Sequence, residues 1–271
     1  MKKAKGIFLP LLLLLSLSVS SMAGPYPPEA GQQGSTAIHM DDPAFVAWAT
    51  GYQGYIIGSN VDNTWQTPKS ALGKAVGNSY DVVSLGRGGR ITMTFDSPIE
   101  NGDGWDFAVF ENSFSDTFLE LAYVEVSSDG INFVRFDNDS LTPEPVGGFG
   151  NVDPTDIDGL AGKYRQGYGM PFDLQDLTGK AEVLSGDVDL DRVAYVNIID
   201  IVGDGTCFDS SNHVIYDPYP TVGSAGFDLD AIGVSNGAAY PAGQYTPPST
   251  SANDGEASFG GGGGCFVASG L

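Results

Sequence analysis

The stretch YVEVSSDGINFVRF, residues 123–136, decides the fold. Tyr123, Glu125 and Ser127 alternate with Val124 and Val126, the pair Asp129-Gly130 punctuates the run, and Ile131, Phe133 and Phe136 resume an alternating pattern. Successive side chains of a strand point to opposite faces, and an Asp-Gly pair between two such runs favours a reversal. The stretch predicts a β-hairpin with a sharp turn between two half-buried strands. Comparable runs rich in Val, Ile, Phe and Tyr predict strands at 81–85, 90–95, 105–111, 121–127, 133–136, 192–201 and 227–234, separated by turns that 38 glycines help to supply. Long helical periods are absent, and only 44–49 and 172–177 predict short helices. No internal repeat stands out, which argues against a propeller or solenoid. The expected fold is all-β, a jelly-roll-like β-sandwich with long loops and one or two short helices.

The two ends read differently. Lys2, Lys3 and Lys5 precede an apolar run over 7–17, and Ser21-Met22-Ala23 offers the small residues that a signal peptidase reads, so residues 1–23 are expected to be a signal peptide and the chain to be exported, extracellular or at the cell surface. No later stretch approaches 18 apolar residues, so no transmembrane segment is expected in the mature chain. Residues 24–34 read as an exposed lead-in, 35–237 as the β-sandwich domain, and 238–271 as a flexible Pro/Ser/Gly-rich tail that ends in a glycine run and Cys265. Loss of the three lysines leaves nine basic against thirty-four acidic side chains, a net charge of −25 where the full chain has −22. Such a surface repels nucleic acid.

The hairpin resembles the strand, S-x-DG turn and aromatic of galactose-binding-like sandwiches, such as discoidin domains and many carbohydrate-binding modules, and GFDLDAIGV (226–234) resembles the acidic final strand of such lectin-like folds. The series SLGRGGRITMTF, GWDFAVFEN, YVEVSSDGINFVRF, LAGKYRQGYGMPFDL and GFDLDAIGV also resembles a family of bacterial exported cell-surface proteins, over roughly residues 35–237. The resemblance implies a fold and a location, and no reaction.

Strand parity singles out acids. Phe107, Val109 and Glu111 share one face, Ile198 and Asp200 another, and Asp228 and Asp230 fall in step with Ile232 and Val234. A carboxylate at the edge of a core needs a cation or several donors. One expectation is a calcium site built from Glu111, Asp200 and Asp230, with Asp106 and Asp228, since calcium prefers clustered oxygens; the other is that these acids accept backbone N–H bonds and stitch loops. NVDPTDIDG (151–159) lacks the closing Glu of an EF-hand loop, and His39 and His213 lack zinc spacing. No nucleophile elbow, metalloprotease helix or phosphate-binding loop occurs, and the glycines of LGRGGR (85–90) read as a turn. Tyr164, Arg165 and Tyr168, with Tyr216 and Tyr219, lie in long loops where rings could stack on sugars and Arg could donate to hydroxyls; the same rings could instead anchor the loops. Cys207 and Cys265 are too few for a disulfide framework, and Cys265 is expected to be a free thiol available for attachment. The expected function is a non-catalytic surface or extracellular module that binds a glycan or another surface component. The alternatives are a structural or adhesion protein without a small ligand, and a carbohydrate-active enzyme with paired carboxylates.

Overall fold

The computed structural model describes residues 23–238 and residue 246. It contains thirteen strands: β1 (Ile38–His39), β2 (Ala47–Trp48), β3 (Gly51–Ile56), β4 (Val83–Ser84), β5 (Arg90–Ile99), β6 (Phe107–Glu111), β7 (Ala122–Ser127), β8 (Val134–Arg135), β9 (Asp139–Ser140), β10 (Ile157–Asp158), β11 (Tyr168–Phe172), β12 (Val193–Asp200) and β13 (Asp228–Val234). Among the described residues the only α-helix is the single turn Ala181–Leu184; the remaining helical pieces are 3-10 turns. One sheet has the order β1-β11-β6-β13-β2, with β4 also on β13; the other runs β3-β5-β12-β7-β8; β9 and β10 pair with each other. All named strand pairs are antiparallel. The chain is an all-β sandwich.

The main core lies between the sheets. Phe107, Val109, Leu229 and Ile232 come from one sheet, and Ile91, Met93, Val124, Val126, Val196 and Ile198 from the other. Alternation accounts for this directly, because every second residue of a strand faces inward. Outward residues are not left to water, however. Tyr123 and Ile201 join Leu119, Leu121, Val146, Val152, Ile157, Leu160, Cys207 and Ile215 in a second core, supplied by the chain around 146–160 and 201–215. Behind the opposite sheet, Ala108, Phe110 and Ala231 pack with Phe45, Trp48 and Trp105.

This explains where the expectations shift. The hairpin is present, with Glu125 opposite Arg135 and Val126 opposite Val134, but β7 is almost wholly buried rather than half-buried because loops cover its second face. Its connection is also wider than a sharp turn: Ser127 Oγ accepts from Asp129 and Gly130 N–H, and Asp129 Oδ1 accepts from Ile131 and Asn132 N–H. Gly130 has φ +76°, and a Cβ there would lie 2.9 Å from the Tyr195 ring, so two constraints require glycine. Residues 44–49 do not form a helix: Ala47 and Trp48 pair with Val234 and Gly233, and the bare Gly233 leaves room for the Phe45 and Trp48 rings. Residue 172 closes β11, and the helical turn begins at Leu174. The lead-in 24–34 is docked rather than loose. Tyr26 N–H donates to Thr155 O at 3.1 Å, Arg165 donates to Ala30 O, and Ala30 is buried in the main core.

Phe107 is fully buried and stacks on Phe172 at 5.3 Å between centroids. Phe107→Ala is expected to cost about 3–5 kcal/mol through lost transfer energy and a residual cavity. Urea unfolding of the two proteins checks this, and a change below about 1 kcal/mol would mean that the site collapses without penalty.

Candidate functional site

Antiparallel pairing gathers acids at one end of the sandwich. Glu111 ends β6 with Leu229 opposite it, Asp228 opens β13, and Asp200 ends β12 opposite Ala122 at the start of β7. Glu120 precedes β7, and Asp217 sits on the loop whose Oδ2 accepts from Leu121 N–H at 2.9 Å. All five acids are at most 5% exposed. The period-2 reading of Asp228 and Asp230 fails at a bulge between Leu229 and Ala231, which puts Leu229, not Asp230, in the main core with Ile232 and Val234.

Three of the five expected calcium ligands are loop fasteners. Asp200 accepts from Gly88 and Phe227 N–H, both at 2.7 Å. Asp230 accepts from Val76 and Gly77 N–H at 3.0 and 2.9 Å. Asp106 accepts from Gly102 N–H, Leu174 N–H and Asn236 Nδ2. Their oxygens are taken by donors, as loop stitching requires. None of the five belongs to the Asp139, Asp209 and His213 group, in which, among the described residues, three candidate ligand atoms all lie within 4.8 Å of one another.

Glu111, Glu120 and Asp228 are less well served. Glu111 Oε2 accepts from Ser113 N–H at 2.6 Å, and Asn112 Nδ2 donates to Asp228 Oδ2 at 3.2 Å. Glu120 Oε1, Asp228 Oδ1 and Ser84 Oγ are buried without a hydrogen-bond partner. The Ser84 and Ser224 side chains lie close enough to Asp228 to favour its charged form, yet Oδ1 receives no bond of proper geometry. Burial first, then neighbouring carboxylates, drives Glu111 and Glu120 well above the usual carboxylate range, with Asp228 the nearest influence on both. Asp217 is raised likewise by burial and then by Asp200. Burial pushes Asp200 and Asp228 up to about 7. Arg87 lies close enough that its field favours the Asp200 carboxylate; its Nη2 donates to Thr221 O, and its guanidinium stands 4.8 Å from the Tyr219 ring centre.

The expected ligand residues do not converge. Tyr164 is buried in the main core, with its hydroxyl 2.8 Å from Thr36 Oγ1, so it is a core residue rather than a ligand contact. Arg165 is engaged by Asp116 and Ala30 O and lies over the half-buried Tyr168 ring at 4.6 Å. Tyr216 packs on the second core, and Tyr219 lies under Arg87. These rings anchor loops. Exposed aromatic rings lie elsewhere: Tyr80, 81% exposed, stacks on Trp65, and Phe114 and Phe149 stand on either side of the half-buried Phe118. Phe114 and Phe118 stack at 4.8 Å, and Phe118 and Phe149 at 6.4 Å; Phe114 is 64% and Phe149 92% exposed. Large apolar residues set among Ser, Gly and Asp outside any alternating run were the signal for them in the sequence. Cys207 is buried in the second core, and Cys265, expected as a free attachment thiol, lies outside the described residues, as does most of the expected tail.

With the geometry in place, comparison adds no family: no protein-family model and no curated protein matches this chain.

The buried acids set a pH dependence. Unfolded carboxyls titrate near about 4, whereas folded Asp200 and Asp228 hold their protons to about 7. Between those values the folded state binds more protons, so their contribution is fully favourable below about 4 and is lost as pH rises towards 7, at about 1.4 kcal/mol per pH unit for each group. Asp228→Asn removes one such group while keeping its shape. The variant is expected to gain stability relative to the native chain as the pH of a urea titration is raised through this window, and a difference between the two proteins that does not change with pH would refute the assignment.

Proposed function

We propose that this chain is an exported, non-catalytic binding module that holds an uncharged glycan against the ledge of Phe114, Phe118 and Phe149. The observation that carries this reading is the exposed, near-parallel stack itself, with interplanar angles of 23° and 27°. Aromatic faces suit the apolar faces of sugar rings and lose little entropy when they bind. The two loops that carry the rings are tied together in advance: Thr117 Oγ1 donates to Asn151 Oδ1 at 2.9 Å, and Val152 N–H donates to Thr117 O at 2.8 Å. A ledge fixed before binding avoids an ordering cost. The net charge of −22 disfavours anionic ligands and leaves neutral ones unaffected. The basic and apolar start of the sequence supports export.

Screening the mature chain on a glycan array identifies the probe, and calorimetry then measures it. Phe149→Ala is expected to weaken binding about tenfold or more, the loss of the most exposed aromatic contact, while leaving the melting temperature unchanged because the ring buries almost nothing in the domain. A chain that binds no arrayed glycan, or binds it equally well without Phe149, would exclude the ledge as a glycan site.

A further inference from the structure

The buried oxygens without partners are concentrated in two places. One is the acid-lined end; the other is the short segment 138–142, where Asn138 Oδ1, Asp139 Oδ1, Ser140 Oγ and Thr142 Oγ1 all lack a bond. That second place borders the one group in which, among the described residues, three His, Cys, Asp or Glu ligand atoms all fall within 4.8 Å: Asp139, Asp209 and His213. His213 Nδ1 stands 3.1 Å from Asp209 Oδ2 and 3.5 Å from Asp139 Oδ1. Tyr26 Oη donates to Asp139 Oδ2.

Both carboxylates are held in position. Asp209 Oδ1 accepts from Ser211 and His213 N–H at 2.9 and 2.7 Å, and its Oδ2 accepts from Ser140 N–H at 3.1 Å. The Asp209 side chain is fully buried, whereas His213 is 58% exposed, so the group is fixed on one side and open on the other. Without an ion, one Nδ1 proton is shared between two carboxylates: it lies 3.1 Å from Asp209 Oδ2 and within ion-pair range of Asp139 Oδ1 at 3.5 Å, but Asp139 Oδ1, shielded from solvent, receives no hydrogen bond of proper geometry. Asn138 and Ser140, which flank it, are 6% and 2% exposed and carry unmet oxygens of their own, and Ser140 is the residue whose N–H positions Asp209. A divalent ion would satisfy both carboxylates together.

We propose that Asp139, Asp209 and His213 bind a divalent transition ion of the zinc type, through Nδ1 and one oxygen of each carboxylate, with a further position open to solvent. An imidazole nitrogen selects against calcium and magnesium, which take oxygen ligands. Zinc–nitrogen and zinc–oxygen bonds of roughly 2.0–2.2 Å place tetrahedral ligand atoms about 3.3 Å apart, and the observed 3.1 and 3.5 Å separations bracket that value. Tyr26, Ser140 and Ser211 hold the ligands rather than the ion, as groups around metal ligands commonly do. This site is independent of the aromatic ledge, and its test does not involve a glycan.

The mature chain, stripped with a chelator, is titrated with zinc chloride by calorimetry and with cobalt(II) by absorption. One equivalent is expected to bind, with the d–d bands of a four-coordinate ion, and excess calcium should not displace it. His213→Ala and Asp139→Asn should each weaken binding about a hundredfold, and Tyr26→Phe about tenfold. Zinc should also move the Nδ1 resonance of His213 in the native chain, a readout that stands even if a variant fails to fold. Absence of binding at roughly 0.1 mM zinc, retention of full affinity in a folded His213→Ala, or an unmoved Nδ1 resonance would each overturn the proposal.

Discussion

The carboxylate of Asp200 is the tie on which the rest of this architecture depends. Asp200 ends β12 in one sheet; its Oδ2 accepts from Gly88 N–H in the turn before β5, and its Oδ1 accepts from Phe227 N–H at the threshold of β13 in the other sheet. One buried group thereby fixes two sheet ends and a turn. A Cβ on Gly226 would lie 2.3 Å from Asp200 Oδ1, so the chain can approach this close only as glycine. The loop before β13 brings Thr221 and Ser224 to Glu120 and Asp228 because its far end is held here. Removing the carboxylate would leave two buried N–H groups unmatched, which costs more than the bonds themselves contribute.

The long strands were legible because their Val, Ile, Phe and Tyr runs are bounded by turn residues, even though β6 and β13 are buried on both faces. The 90–95, 105–111, 121–127, 192–201 and 227–234 runs all lie within or across real strands. The strands that stayed hidden break that rule for identifiable reasons. In β3, GYQGYI, two glycines interrupt the alternation; β11 carries Pro171; β1, β2, β9 and β10 are two residues long and are set by their partners rather than by their own pattern. The loops at 146–160 and 201–215 read as connections, yet they build a second core over β7. Nothing local marks a loop that doubles as a layer, because its apolar residues have no common period.

For the acids, composition tells only part of the story. Counting carboxylates against lysines and arginines leaves out the backbone, whose N–H groups satisfy Asp106, Asp200 and Asp230 without any cation. Parity along β13 was lost at a bulge that no residue in FDLDAIGV announces. Glu120 escaped notice because it precedes its strand, and its proximity to Asp228 exists only after folding. His213 likewise stood alone in sequence, since Asp139, which folding brings to its ring beside Asp209, lies far along the chain.

The docked lead-in bears on the order in which the molecule can close. Gly24 N–H meets Thr155 Oγ1 at 2.6 Å across 131 positions of sequence, and Tyr26 meets Asp139 across 113. A chain synthesised from its N-terminus has made these residues long before their partners exist, and contacts of such separation carry a high entropic price to form. A segment made early is thus among the last to be secured, a seam rather than a seed. Until residue 155 is in place, residues 24–26 have nothing to rest on, and the side of the domain around β9 and β10 stays open.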